Sequence, residues 1–149
     1  MYAHDPGMPL DYSPAVEWYR KAAAQGHAAA QDGLGWMYQS GFGVPKDDAK
    51  AVMWYRKAAA QGDAGGQYHL GWMYQSGFGV PKDDAMAVEW YRKAAAQGHA
   101  AAQYQLGLMY ASGFGVPKDD AMAVEWYRKA AVQGHAAAQA ILKGKGLTW

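Results

Sequence analysis

The chain has 149 residues and no cysteine, a hydrophobic share of 51% with 14% aromatics, and 14 Lys+Arg against 13 Asp+Glu for a formal net charge of +1. Such a composition excludes a disordered chain, a disulfide framework and a thiolate metal site, and the near-zero charge provides no field to draw nucleic acid or an anionic lipid surface. Its length suits one domain with its own core, and no apolar run is long enough to insert in a membrane.

Residues 1–14, MYAHDPGMPLDYSP, hold an early acid and prolines without an apolar run, so no signal peptide is expected there. Then a period of 36 residues takes over: Trp18, Trp54, Trp90 and Trp126 keep this interval, as do Gly26, Gly62, Gly98 and Gly134, and Pro45, Pro81 and Pro117. A fixed period of this size marks a repeat architecture. The register gives a partial unit at 1–27, full units at 28–63, 64–99 and 100–135, and a partial unit at 136–149, together one domain.

Each full unit opens on a segment such as AGGQYHLGWMYQSG, predicted as helix A and ending at Gly41, Gly77 or Gly113, with an apolar face formed by Leu34, Met37 and Tyr38 and their equivalents. Gly35, Gly71 and Gly107 fall inside it, where glycine costs roughly 1 kcal/mol against alanine, so close approach of a neighbouring helix is expected at each. The connector GFGVPKD follows, its glycines free to take positive φ while Phe and Val plug the end of the helix pair. Helix B is predicted from Asp47 or Asp48 to Gly62, with aspartate as N-cap, proline just outside and glycine as the left-handed stop. Ala51, Trp54, Tyr55, Ala58 and Ala59 give it one apolar stripe, and Glu17 with Lys21, Glu89 with Lys93 and Glu125 with Lys129 are spaced to pair along its outer face.

These residues resemble the Sel-one-like repeat (SLR), a relative of the tetratricopeptide repeat, through the leucine-glycine-x-methionine-tyrosine of helix A, the SGFGVPKDDA connector and the AVEWYRKAAAQG of helix B. Departures lie at the ends: Met8, Pro9, Leu10 and Asp11 replace valine-proline-x-aspartate, and Lys143 stands where the family has glycine. The resemblance implies an all-α fold, a right-handed α/α solenoid of antiparallel helix pairs, with neither helix able to bury its stripe alone. It also implies an adaptor, commonly bacterial, that binds a protein or peptide without catalysis or cofactor. The branch that staples each unit with a disulfide is excluded by the lack of cysteine. Consecutive full units differ at only 7 and then 6 of 36 positions, which recent duplication and consensus design would both produce.

In helix A the differences fall at residues 29, 30, 32, 33, 36 and 39 and their equivalents, at the three-and-four spacing of one helical face. In the tetratricopeptide superfamily the matching face lines the concave groove, so Asp32, Trp36, Gln39, Tyr68, Trp72, Gln75, Tyr104 and Leu108 are the expected partner-binding residues. Core packing of Trp36 and Trp72 is the competing reading. A structural or designed array, self-associating through uncapped terminal units, is the alternative function.

Signals for chemistry are weak. Gly-x-Gly in the connector lacks the spacing of a phosphate loop and has no preceding strand. His27, His99 and His135 recur in register, but a stacking distance of about 8–10 Å cannot bring two of them to one zinc ion at roughly 2 Å. They are expected in solvent-exposed linkers, and His69 exposed or facing the groove. Ser40, Ser76 and Ser112 end helices with no acid–histidine pair to activate them, and the paired aspartates at 47 and 48 serve as caps. No catalytic or metal residue is expected.

Overall fold

The computed structural model describes residues 13–149; Met8, Pro9, Leu10 and Asp11, with all but the last two residues of the stretch read for a signal peptide, lie outside them. Eight helices run through this part, with no strand among the described residues: α1 (Ser13–Ala24), α2 (Ala28–Ser40), α3 (Asp48–Ala60), α4 (Ala64–Ser76), α5 (Asp84–Ala96), α6 (Ala100–Ser112), α7 (Asp120–Val132) and α8 (Ala136–Gly144). Even-numbered helices correspond to helix A and odd-numbered ones to helix B.

Local chemistry sets these limits. The carboxylates of Asp47, Asp83 and Asp119 accept from the backbone N–H of Lys50, Met86 and Met122 at 3.1, 3.0 and 3.0 Å, which satisfies a free donor in the first turn of α3, α5 and α7. At the other end Gly62 turns to φ +90°, letting the Asp63 N–H reach back to the Ala58 carbonyl at 3.2 Å. Helix A stops in the same way: Gly41 at φ +75° donates to the Met37 carbonyl at 2.8 Å, and six residues later the Asp47 N–H bonds the Tyr38 carbonyl at 2.9 Å. The connector is thereby tied at both ends.

Each helix packs on the next in the chain, and α2 also touches α4, so consecutive helix pairs stack as an α/α solenoid. Three apolar clusters run along it, and the largest side chains at their centres are Tyr55, Tyr91 and Tyr127. These tyrosines explain the mid-helix glycines. A Cβ on Gly35, Gly71 or Gly107 would lie 2.7, 2.9 or 2.6 Å from the ring of Tyr55, Tyr91 or Tyr127, so absence of a side chain is what lets helix B close on helix A. Lys143, at the equivalent position of α8, is exposed.

A second device is polar. Gln31, Gln67 and Gln103 are buried, and each donates its amide N–H to a carbonyl of the preceding helix: Ala23 at 3.2 Å, Ala59 at 3.4 Å and Ala95 at 3.2 Å. Their carbonyls accept from Gln61, Gln97 and Gln133 of the following helix B at 2.7, 2.8 and 2.9 Å. One amide rung therefore crosses every junction between full units, and burial makes it costly to leave any rung unmade.

The outer face differs from expectation. Glu17 and Glu89 pair with Arg20 and Arg92, three residues on, at 2.8 and 3.2 Å rather than with Lys21 and Lys93. Lys57, Lys93 and Lys129 lie over Trp54, Trp90 and Trp126 at 4.7, 4.5 and 4.5 Å from the ring centroid. The indole one turn away offers the lysine stem an apolar surface as well as a π-face, which a fully hydrated glutamate does not. Near the C-terminus Leu147 packs on the last cluster, the Thr148 carbonyl accepts from Arg128 at 3.0 Å, and Trp149 remains 49% exposed.

Candidate functional site

Burying residues 30, 31, 34, 35, 37 and 38 of α2 leaves 29, 32, 33, 36 and 39 as its open face, and α4 and α6 repeat this division at 68, 72 and 75 and at 104 and 108. All eight sequence-predicted residues fall on that face. Trp36 is 40% exposed, and Asp32, Gln39, Tyr68, Trp72, Gln75, Tyr104 and Leu108 are half-buried. Trp36 meets the connector ring of Phe42 at 5.1 Å and Trp72 meets Phe78 at 5.5 Å. Trp72 also packs against two of the apolar clusters, so it belongs partly to the core, whereas Trp36 is the more exposed of the two. Trp36→Ala is therefore expected to cost about 1 kcal/mol or less of stability in urea unfolding, the scale of a surface change rather than a core cavity.

The amides on this face are fixed from beneath. Tyr55 donates its hydroxyl to the Gln39 side-chain oxygen, and Tyr91 does the same to Gln75 at 2.5 Å. Burial pushes both phenols far above the ordinary tyrosine value, and Tyr127 up to about 12, so all three keep their protons. Asp32 bridges from α2 to His69 on α4, carboxylate oxygen to Nδ1 at 2.7 Å, and the His69 ring stacks on Tyr55 at 4.9 Å. His69 is thus half-buried, on the same face of α4 as Tyr68 and Trp72.

Four copies of one family model, the Sel1 repeat, match residues 1–27, 28–63, 64–99 and 100–135. The chain belongs to the Sel1 repeat family. Among solved structures, it is similar to an SLR-fold protective antigen of uropathogenic Escherichia coli, with 44% identity and TM-score 0.85 over 92% of this chain and 30% of that one. A Sel1 repeat protein from Oxalobacter formigenes matches with 42% identity and TM-score 0.84 over 92% of this chain and 58% of that one. The cysteine-rich protein B of Helicobacter pylori matches with 27% identity and TM-score 0.69 over 87% and 92%. This chain therefore spans less than two thirds of the first two relatives. No curated protein matches it. Sel1 repeat proteins are in general non-enzymatic scaffolds for protein interaction, and repeats of this kind typically bind proteins.

Within this Sel1 repeat array, His99 and His135 are not solvent-exposed linker residues. Each is half-buried as the N-cap of the next helix A, with Nδ1 accepting from the Ala102 and Ala138 N–H at 3.2 and 3.3 Å. Each also stacks on a tyrosine of the open face, Tyr68 at 4.9 Å and Tyr104 at 4.7 Å. Histidine does here what Asp63 does for Gly66 one repeat earlier, at 2.8 Å, and what His27 does not do for α2. Sequence reasoning missed these contacts because Tyr68 and His99 stand near opposite ends of one unit, 31 residues apart, where no helical spacing links them, and it missed the glutamine rungs although Gln31, Gln67 and Gln103 do not vary between copies.

The His99 cap requires an unprotonated Nδ1. Burial, then the charge of nearby His69, hold its pKa below the ordinary 6.5, against the opposing pull of Asp32 and Asp63. With the folded value depressed, the unfolded chain takes up the proton first as pH falls, so this contribution is complete above about 6.5 and declines below it. Melting curves at pH 7 and pH 5 are expected to show a smaller acid loss for His99→Asn, whose amide caps at either pH; an equal loss would refute the cap's role. Among the described residues no three His, Asp or Glu side chains gather as a metal set, and no helix is long and apolar enough to cross a membrane.

Proposed function

We propose that this chain is a single solenoid domain acting as a non-catalytic scaffold that takes a protein or peptide segment along the open face of its helix A array. Asp32, Trp36, Gln39, Tyr68, Trp72, Gln75, Tyr104 and Leu108 form the contact surface, with no cofactor. The observation that carries this reading is Trp36. A large indole 40% exposed on a face whose neighbouring side chains are already held by tyrosines and histidines is a preformed anchor, and rigid aromatic surface of that kind concentrates binding energy. Paired affinity capture tests it: the wild-type chain and a Trp36→Ala, Gln39→Ala variant, both shown folded by circular dichroism, are compared for retained proteins. A partner held by the first and lost by the second supports the groove; identical retention removes it.

Self-association is the second reading, motivated by Trp18, 66% exposed on α1, and by Trp149. Lys143 opposes it, since another helix B closing on α8 would bring its tyrosine against a lysine instead of glycine. Sedimentation at high concentration decides: a strict monomer excludes the idea.

A further inference from the structure

The groove's chemistry is uneven, and the richest part is confined to two helices. α2 and α4, AAAQDGLGWMYQS and AGGQYHLGWMYQS, contain no lysine, arginine or glutamate, and the one carboxylate, Asp32, is engaged by His69 at 2.7 Å. Each carries a tryptophan and, three residues on, a glutamine: Trp36 with Gln39, and Trp72 with Gln75. In α6 the same positions hold Leu108 and Ala111. Because the glutamine oxygens accept from Tyr55 and Tyr91, their N–H groups are the part of each amide left to donate outward.

Resting on the scaffold reading above, we propose that the α2–α4 face binds an uncharged, proline-rich segment in the polyproline II conformation. Three features select that occupant. Neither helix brings a lysine, arginine or glutamate to the face, and the Lys82 ammonium that reaches the Gln75 carbonyl at its edge, at 2.7 Å, is paired with Asp84, so an uncharged chain suits it better than an acidic or basic one. Outward amide donors match backbone carbonyls that have no internal partner, which a polyproline II segment presents and a bound helix does not. The pitch also fits. α2 and α4 are in direct contact, and Gly65 permits this, since a Cβ there would lie 2.8 Å from the Asp32 carboxylate. Packed helices stand about 8–10 Å apart, and one polyproline II turn of three residues advances about 9 Å. Prolines three apart therefore meet Trp36 and Trp72 in succession, with a carbonyl within reach of each glutamine.

The test is a titration of the full chain with an acetylated ten-residue polyproline peptide, read by tryptophan fluorescence and by the indole N–H resonances. A glycine–serine peptide of equal length and a capped helical peptide serve as comparators. Expected is a saturable response to polyproline alone that weakens about tenfold in Trp36→Ala and in the Gln39→Ala, Gln75→Ala pair, and persists in Phe114→Ala. The glutamine pair keeps the proposal falsifiable if a tryptophan variant fails to fold. Installing a third set, Leu108→Trp with Ala111→Gln, should tighten binding of the same ten-residue peptide, which is long enough to reach all three sets. No saturable response at millimolar peptide, or one indifferent to both Trp36 and the glutamines, overturns the proposal. Trp36-dependent binding of the helical peptide instead overturns it while leaving the scaffold reading standing.

Discussion

Replacing Tyr91 with alanine is expected to lower the unfolding free energy by about 3–5 kcal/mol, the scale of an aromatic removed from a site that cannot collapse. Tyr91 is 0% exposed, its ring fills the space above Gly71, and its hydroxyl is bound to Gln75 at 2.5 Å. Tyr91→Phe, which keeps the ring and loses the hydrogen bond, should cost only about 1 kcal/mol. The diagnostic result comes from Gly71→Ala. Helix propensity alone favours it by about 1 kcal/mol, yet the added carbon would lie 2.9 Å from the ring, so a net loss of about 1–3 kcal/mol is expected. In the Tyr91→Ala background that loss should shrink, giving a coupling of about 1 kcal/mol or more in a double-mutant cycle. Additive effects would show that glycine is there for some reason other than the tyrosine.

How far the structure was legible in the residues depended on how local a feature is along the chain. The helix limits were legible: Asp47, Gly62 and Gly41 are local signals, and each ends or begins a helix where its chemistry places it. The mid-helix glycines pointed to a close neighbour because a cost against propensity calls for compensation. Identifying that neighbour as Tyr55, Tyr91 or Tyr127 required the angle at which helix B crosses, which no period contains. Features that join distant parts of the chain were opaque. Asp32 bonds His69 at 2.7 Å across 37 residues, from one unit to the next, a separation that differs from the repeat and so leaves no trace in it; Tyr68 with His99, and Tyr104 with His135, stay inside one unit, yet 31 residues is no helical spacing and marks neither pair as neighbours. The open face was legible as the set of positions free to vary, with one exception: residue 30 varies too, but only between alanine and glycine, and it is buried with its equivalents 66 and 102. The same reasoning hid the glutamines, because a constant polar residue resembles surface until burial is known. Lysine was assigned to glutamate by spacing, whereas the nearby indole gave it a larger and drier surface.

Gln67→Ala is expected to cost about 2–3 kcal/mol, more than its modest hydrogen bonds suggest. Gln67 ties three helices together: from α4 it donates to the Ala59 carbonyl near the end of α3 at 3.4 Å and accepts from Gln97, at the end of α5, at 2.8 Å. Truncation removes both bonds and leaves a void at a site 5% exposed, which sets the size of the loss. Gln67→Met, close in volume, restores packing without the bonds and should lose only about 1 kcal/mol, because the Ala59 carbonyl retains the Gly62 N–H at 3.0 Å. Gln97→Ala should be milder still, since its surroundings are wetter, and the Gln67–Gln97 pair should couple by about 1 kcal/mol. Stacked repeats are stabilised by nearest-neighbour junctions, so a weakened rung should also reduce cooperativity. Urea unfolding followed by circular dichroism would then show a broader transition with a lower slope for Gln67→Ala, while Gln67→Met keeps the wild-type slope. If Gln67→Ala instead shifts the midpoint by less than about 0.5 kcal/mol at unchanged slope, the rungs merely occupy the junctions, and apolar packing alone joins the units.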